Sequence, residues 1–238
     1  MISETTLATS YTSFWKGLTP NSERFIRRLN LNLERYSRPI KSEASPERRA
    51  FINEAGFRLF ARTYGKKIPR ESNLTALKTE IFDGVRTYLR RFSGVAEEDL
   101  TAPTEEELLE VEIICDSIGT FVRRRTLRGE AINVAPRFKG CGILDASEGD
   151  LLIADTLFEI KAGDRSFRAT DIRQLLIYCA LNSINHMYQI NRIGCLNPRT
   201  GTYFEVDLDT LGIEMSSKSS VELLSDILYF VSSGDTSR

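Results

Sequence analysis

One histidine and one tryptophan occur in 238 residues, the four cysteines are scattered, and 32 Lys and Arg nearly balance 33 Asp and Glu. Each shortage excludes a class of chemistry. With His186 alone, neither a histidine-built metal site nor a Ser-His-Asp triad can be assembled, so any catalysis must run on carboxylates and lysine. Cys115, Cys141, Cys179 and Cys195 form no CxxC pair, which argues against a zinc knuckle or a disulfide scaffold and for reduced thiols in a cytoplasm. No apolar run approaches the ~20 residues of a membrane span, so no membrane partner is expected. The first residues, MISETTLATSYTSFWKG, lack the basic start and apolar core of a secretory signal. A net charge of −1 gives no general support for a polyanionic partner, yet arginine gathers at 123–125, 128, 137, 165, 168 and 173.

The hydrophobic content of 41% and charged content of 27% are those of a globular chain. Residues 1–100 read as a helical N-terminal region: apolar residues recur at helical spacing in SERFIRRLNLNLERY, PERRAFINEAGFRLFARTYG and LTALKTEIFDGVRTYLRRF. KKIPRESN and SGVAEEDLTAPTEEE read as connections, and the second marks the boundary to a core over 103–238. The texture then changes. TEEELLEVEIICDSIGTFVRRR is a helix capped by Thr104, with acids in its first turn and arginines in its last. AINVAPRFKGCGIL, DLLIA and TLFEIKA are short β-rich runs separated by glycines. ATDIRQLLIYCALNSI is a second helix, capped by Thr170 or Asp171, and a hairpin across NPRTG and a closing helix SSVELLSDILYFVSS follow. The class is mixed α/β.

Chemistry concentrates in DLLIADTLFEIKAG, residues 150–163. Side chains alternate along a strand, so Phe158 and Ile160 share a core face while Leu157, Glu159 and Lys161 share the other. A tight turn through Ala154 and Asp155 returns Asp150 to the neighbourhood of Glu159. Two adjacent carboxylates repel, which raises one pKa unless a cation intervenes. Lys161 offsets part of the charge and a hard divalent ion offsets more. Carboxylates plus waters are the ligand set that suits Mg²⁺ or Mn²⁺.

An acid at a strand start, a short hairpin, an ExK strand, and a helix carrying QLLIY resemble the PD-(D/E)XK nuclease superfamily in its RecB-like branch. The matching elements are Gly149-Asp150, Glu159-Ile160-Lys161, and Gln174 to Tyr178, within a stretch from Thr104 to Asp209. The resemblance implies a restriction-endonuclease-like core with a mixed central sheet in αβββαβ order, an order that the strand and helix signals suggest independently. It further implies Asp150 and Glu159 as metal ligands, Lys161 as the catalytic lysine, and Gln174 and Tyr178 as residues that hold the substrate strand or buttress the metal. Asp145 also follows a glycine-led turn before the ExK strand and competes with Asp150 for the metal. The family places a further glutamate on the first core helix. Glu112 fits best at the edge of that helix's apolar face, with Glu107 and Glu110 as alternatives.

The arginines Arg123, Arg124, Arg125 and Arg128, and then Arg165 and Arg168 just after the ExK strand, supply phosphate contacts of low sequence specificity. The expected activity is Mg²⁺- or Mn²⁺-dependent hydrolysis of phosphodiester bonds, in DNA, in a setting of bacterial repair or antiviral defence. Unwinding would fall to a partner protein such as a helicase or ATPase, since no helicase motif is present. Two other readings stand beside it: a non-catalytic nucleic-acid-binding or assembly subunit, and an RNA-cleaving effector.

Overall fold

Residues 151–153 are all apolar and 156–160 carry apolar residues on both faces, a pattern that suits strands covered on both sides. The computed structural model places them at the centre of a sheet between two helical layers. It describes residues 1–65, 74–92, 100–127 and 129–233; most of the two expected connections, and Arg128, lie outside the described residues.

In chain order the helices are α1 (Glu4–Ser10), α2 (Thr12–Leu18), α3 (Ser22–Leu31), α4 (Arg49–Gly65), α5 (Leu74–Phe92), α6 (Glu105–Arg125), α7 (Ala169–Asn185), α8 (Leu208–Ser216) and α9 (Ser220–Ser233). The strands are β1 (Glu34–Arg35), β2 (Ile132–Val134), β3 (Arg137–Phe138), β4 (Ser147–Glu148), β5 (Leu151–Ile153), β6 (Thr156–Ile160), β7 (Arg192–Asn197) and β8 (Thr202–Asp207). Six strands form a mixed sheet in the order β1-β8-β7-β6-β5-β2, and β3 pairs with β4 as a separate ribbon. The β6–β7 pair is parallel and bridged by α7; every other pair is antiparallel. Parallel neighbours need such a helical crossover. Along the sheet the order from α6 is thus helix, three strands, helix, strand.

Successive residues of β5 and β6 enter different cores. Leu152 and Leu157 pack towards α7, α1 and α9, whereas Leu151, Ile153 and Phe158 pack towards α4 and α6. The expectation of one core face is therefore incomplete: both faces are core, and the polar Glu159 sits inside one of them. The N-terminal third also does not stand apart as a module. Leu7, Trp15 and Phe25 share a core with α7, Phe51, Ile52 and Phe60 share the other with α6, and β1 extends the sheet edge beside β8. Among the described residues no helix is long and apolar enough to cross a membrane.

The start of α6 is as its sequence implies. Thr104 accepts from the Glu107 backbone N–H and Glu107 returns a bond to the Thr104 N–H. Glu107 is also gripped at 2.8 Å on both oxygens by Arg48 of the 3₁₀ turn before α4. The Arg48 hydrogen bond holds the Glu107 carboxyl below its ordinary pKa. A depressed carboxylate contributes stability that is present above the unfolded pKa and lost as pH falls through the folded one. Acid titration of Glu107→Gln is therefore expected to show less loss of stability than the parent below about pH 4.5, the ordinary glutamate range. At neutral pH the same variant should be less stable by about 1–3 kcal/mol, from the loss of a charge-assisted pair; equal denaturant midpoints at both pH values would contradict this. At α7 the cap differs from expectation: the helix starts at Ala169 and Asp171 accepts from the Arg168 N–H at 2.8 Å.

Candidate active site

The β5–β6 hairpin turns through Ala154 and Asp155, with Ala154 at φ +51°, a left-handed conformation that costs an L-residue about 1–2 kcal/mol. Its register pairs Leu151 with Phe158, so Asp150 stands opposite Glu159 one step beyond the ladder. Asp150 Oδ2 accepts from the Ile160 N–H at 2.7 Å, which ties the carboxyl to the end of β6. Glu159 is buried, at 5% exposure. Lys161, where the strand ends, donates from Nζ to Glu159 Oε1 at 2.9 Å and to Gln174 Oε1 at 2.8 Å. Gln174 Nε2 in turn donates to the Tyr178 hydroxyl at 2.8 Å. Gln174 and Tyr178 lie one turn apart on α7, so one helix face presents both to the strand end. Tyr178 is itself fixed by stacking on Phe138, with centroids 5.2 Å apart. The structure thus joins four of the sequence's candidates, Glu159, Lys161, Gln174 and Tyr178, in one hydrogen-bonded chain, with Asp150 facing its first member.

Burial raises the Asp150 pKa, and the charge of Glu159 raises it further against the opposing pull of Lys161 and the Ile160 N–H. Burial likewise raises Glu159, with Lys161 opposing. Burial alone would lower Lys161; Glu159 and Asp150 outweigh it and hold the ammonium charged. Two carboxylates thus share one cation in a place that penalises charge. Among the described residues Glu159 Oε2 is buried without a hydrogen-bond partner. An orphaned anionic oxygen is costly, and folding tolerates it where a ligand completes the site.

Among the described residues, no group of three or more His, Cys, Asp or Glu side chains is gathered tightly enough to hold a metal ion unaided. Two carboxylates nevertheless suit Mg²⁺, which keeps several waters and is bound through one or two carboxylates plus substrate phosphate. The unpartnered Glu159 oxygen and Asp150 are the donors that fit such an ion.

A cleft of about 150 Å³ opens beside Asp150, lined by Ala50, Asn53, Glu54 and Phe57 of α4, Leu89 of α5, and Ile160 and Ala162. Glu54 is the acid that sequence reasoning missed. Its charge adds to the upward pressure on Asp150, and its Oε1 accepts from Arg58 Nε at 2.7 Å. Helical spacing puts Ala50, Asn53, Glu54 and Phe57 on one face of α4, but only the fold sets that face beside Asp150.

Other candidates lie elsewhere. Glu112 pairs with Lys78 of α5 at 2.5 Å, Glu107 with Arg48, and Glu110 with Arg199 at 2.6 Å, so all three candidate glutamates of α6 are engaged in joining elements of the scaffold. Asp145 sits in the turn that closes on the N-terminus, its N–H donating to the Ile2 carbonyl at 3.0 Å. Arg165 makes a bidentate pair with Asp171, both bonds at 2.7 Å, which secures the first turn of α7; Arg168 beside it is exposed. Arg123 bonds Tyr64 and Thr120, and Arg124 lines a separate 300 Å³ depression with Arg125, Ala154, Asp155 and Arg192, at the turn end of the hairpin and away from Asp150. Compared with protein-family models and with curated proteins, the sequence matches none.

Proposed function

We propose that the protein is a Mg²⁺- or Mn²⁺-dependent nuclease of the PD-(D/E)XK type that hydrolyses phosphodiester bonds in DNA. One observation carries the reading: Asp150 and Glu159 oppose each other at the strand end, Lys161 bridges Glu159 to Gln174, and the second Glu159 oxygen has no partner among the described residues. The order α6, β2, β5, β6, α7, β7 supports the same family. In this reading Asp150 and Glu159 hold the ion. Bound there, a hard divalent cation supplies a water of lowered pKa and neutralises charge on the phosphate. Lys161, already charged, aims its remaining N–H at the attacking water or at a phosphate oxygen, and so stabilises the charge that develops in displacement. Gln174 holds Lys161 on that line, and the Tyr178 hydroxyl holds Gln174. Exposed Arg168 remains available to a phosphate, whereas Arg165 reaches one only by giving up Asp171.

The decisive assay is cleavage of plasmid and of single-stranded oligonucleotides, DNA and RNA, with Mg²⁺ and with EDTA. The parent is expected to cut DNA with Mg²⁺ alone, and Glu159→Ala to lose cutting. Equal cutting by parent and variant would remove the site from the reaction. A parent that binds DNA under all conditions without cutting would make the protein a binding subunit on the same fold.

A further inference from the structure

β6 stops at Ile160, and Ala162 and Gly163 follow Lys161 outside any ladder. Backbone carbonyls that leave a strand need new partners, and here asparagines supply them. Asn53 of α4 donates from Nδ2 to the Ala162 carbonyl, and Asn197 at the end of β7 donates from Nδ2 to the Gly163 carbonyl at 2.7 Å. Both amides are tied back to Arg199, in the turn between β7 and β8. Its Nε donates to Asn53 Oδ1 at 2.6 Å, and its backbone N–H donates to Asn197 Oδ1 at 3.0 Å. A guanidinium only donates and a carbonyl only accepts, so a side-chain amide is suited to join them, and its two partners fix its orientation. Gln174 does the same on the other side of Lys161, accepting from the ammonium and donating to Tyr178.

Arg199 is 2% exposed. Its Nη1 stands 2.6 Å from Glu110 Oε1, and its Nη2 has no hydrogen-bond partner among the described residues. A buried cation is costly unless its N–H groups are met. The turn NPRTG already holds the Asn, Pro and Gly that turn geometry favours, and nothing in that geometry calls for a buried arginine. Resting on the nuclease reading of the neighbouring acids, we infer that Arg199 is a positioning residue for the site: through Asn53 and Asn197 it locks the carbonyls after Lys161 and keeps the ammonium on its line between Glu159 and Gln174. The Lys161 backbone is then held from both sides, since its own N–H donates to the Leu196 carbonyl at 2.8 Å. A lysine stem is flexible, so its charge keeps one direction only where the backbone beneath it and the acceptors around it are both fixed. Asn53 and Ala162 line the cleft beside Asp150, which sets this relay against the acids.

The test reads the ammonium itself, so it does not depend on turnover. The full chain is labelled with ¹⁵N at lysine Nζ, and ¹H–¹⁵N spectra are recorded in EDTA in mildly acidic buffer, where exposed ammonium groups exchange too fast to be seen. The parent is expected to give a protected signal that Lys161→Met removes. Asn53→Ala should speed its exchange with water about tenfold, the equivalent of about 1.4 kcal/mol. Arg199→Met combined with Glu110→Gln removes both buried charges together and leaves neither orphaned; it should speed exchange similarly while melting within a few degrees of the parent. Glu107→Gln, which loosens a joint of the scaffold elsewhere, should melt lower and leave the signal unchanged. With Mg²⁺ and saturating DNA, Asn53→Ala should cut about tenfold more slowly in a single turnover, with its affinity for DNA in EDTA unchanged. The proposal is overturned if the parent shows no protected ammonium, if Asn53→Ala or the double variant exchanges like the parent, or if Glu107→Gln loosens the ammonium as much. Should exchange respond as described while Mg²⁺ elicits no cutting from the parent, the nuclease reading fails and the positioning of Lys161 stands.

Discussion

Lys161→Met is expected to lower the single-turnover rate of Mg²⁺-dependent DNA cleavage by about 10²–10³, the usual cost of removing one preorganised donor from a site where charge develops. The aliphatic stem of methionine keeps the bulk of lysine while removing all three N–H donors. In the folded chain those donors are already directed: one to Glu159 Oε1 and one to Gln174 Oε1, at 2.9 and 2.8 Å. Among the described residues the third has no partner, and in the nuclease reading it is the one that meets substrate. Gln174→Ala should produce a smaller loss, because it frees the ammonium to swing without removing its charge. The pair of variants separates chemistry from positioning: affinity for DNA in EDTA should stay within about threefold of the parent for both, against the tenfold that 1.4 kcal/mol would produce. A Lys161→Met protein that melts like the parent and cuts at the parental rate would take the lysine out of the mechanism.

The local part of this site was legible in the sequence because hairpin geometry is local. A two-residue turn fixes register, and register sets Asp150 opposite Glu159. Helical periodicity likewise puts Gln174 and Tyr178 on one face. The contribution of α4 was not legible, since nothing in the spacing of residues near 54 says which strand end they will face almost a hundred residues later. The same limit explains the α6 glutamates. An acid at the edge of an apolar face looks the same whether it reaches over a sheet or pairs with Lys78, and only the docking of α5 decides. Arg165 stood where a phosphate contact was expected, but Asp171 is an equally good bidentate partner and is already present in the fold. β1 and α8 are among the elements that escaped detection, for ordinary reasons. β1 has two residues and exists only because β8 offers an edge, and α8 follows so directly on the alternating TYFEVD of β8 that its cap, Asp207, reads as the last strand residue.

Asp150→Asn is expected to make the protein more stable and, at the same time, inactive. Asparagine keeps the oxygen that accepts from the Ile160 N–H, so the end of β6 remains tied. What it removes is a buried negative charge facing Glu159 and near Glu54, the arrangement that pushes the Asp150 pKa up. The sign follows from linkage. An acid whose folded pKa lies above its unfolded pKa favours the folded state while it is protonated, and that stability is lost as pH rises through the folded pKa. The advantage of the variant should therefore be absent in acid and greatest at neutral pH. In EDTA at pH 7 to 8 a rise of about 2–4 °C in melting temperature is expected, the shift that ~1 kcal/mol produces in a chain of this size. Divalent cations should do the same for the parent by another route. An ion that binds only the folded state stabilises it by mass action, by about 2.7 kcal/mol at a hundredfold excess over its Kd. Mn²⁺ is thus expected to raise the melting temperature of the parent and to leave Asp150→Asn unmoved. Differential scanning fluorimetry across pH, with and without Mn²⁺, checks both halves. If Asp150→Asn melts lower than the parent in EDTA, the carboxylate is structural and its repulsion by Glu159 is already relieved within the protein. If parent and variant respond equally to Mn²⁺, the ion binds elsewhere and these two acids do not hold it.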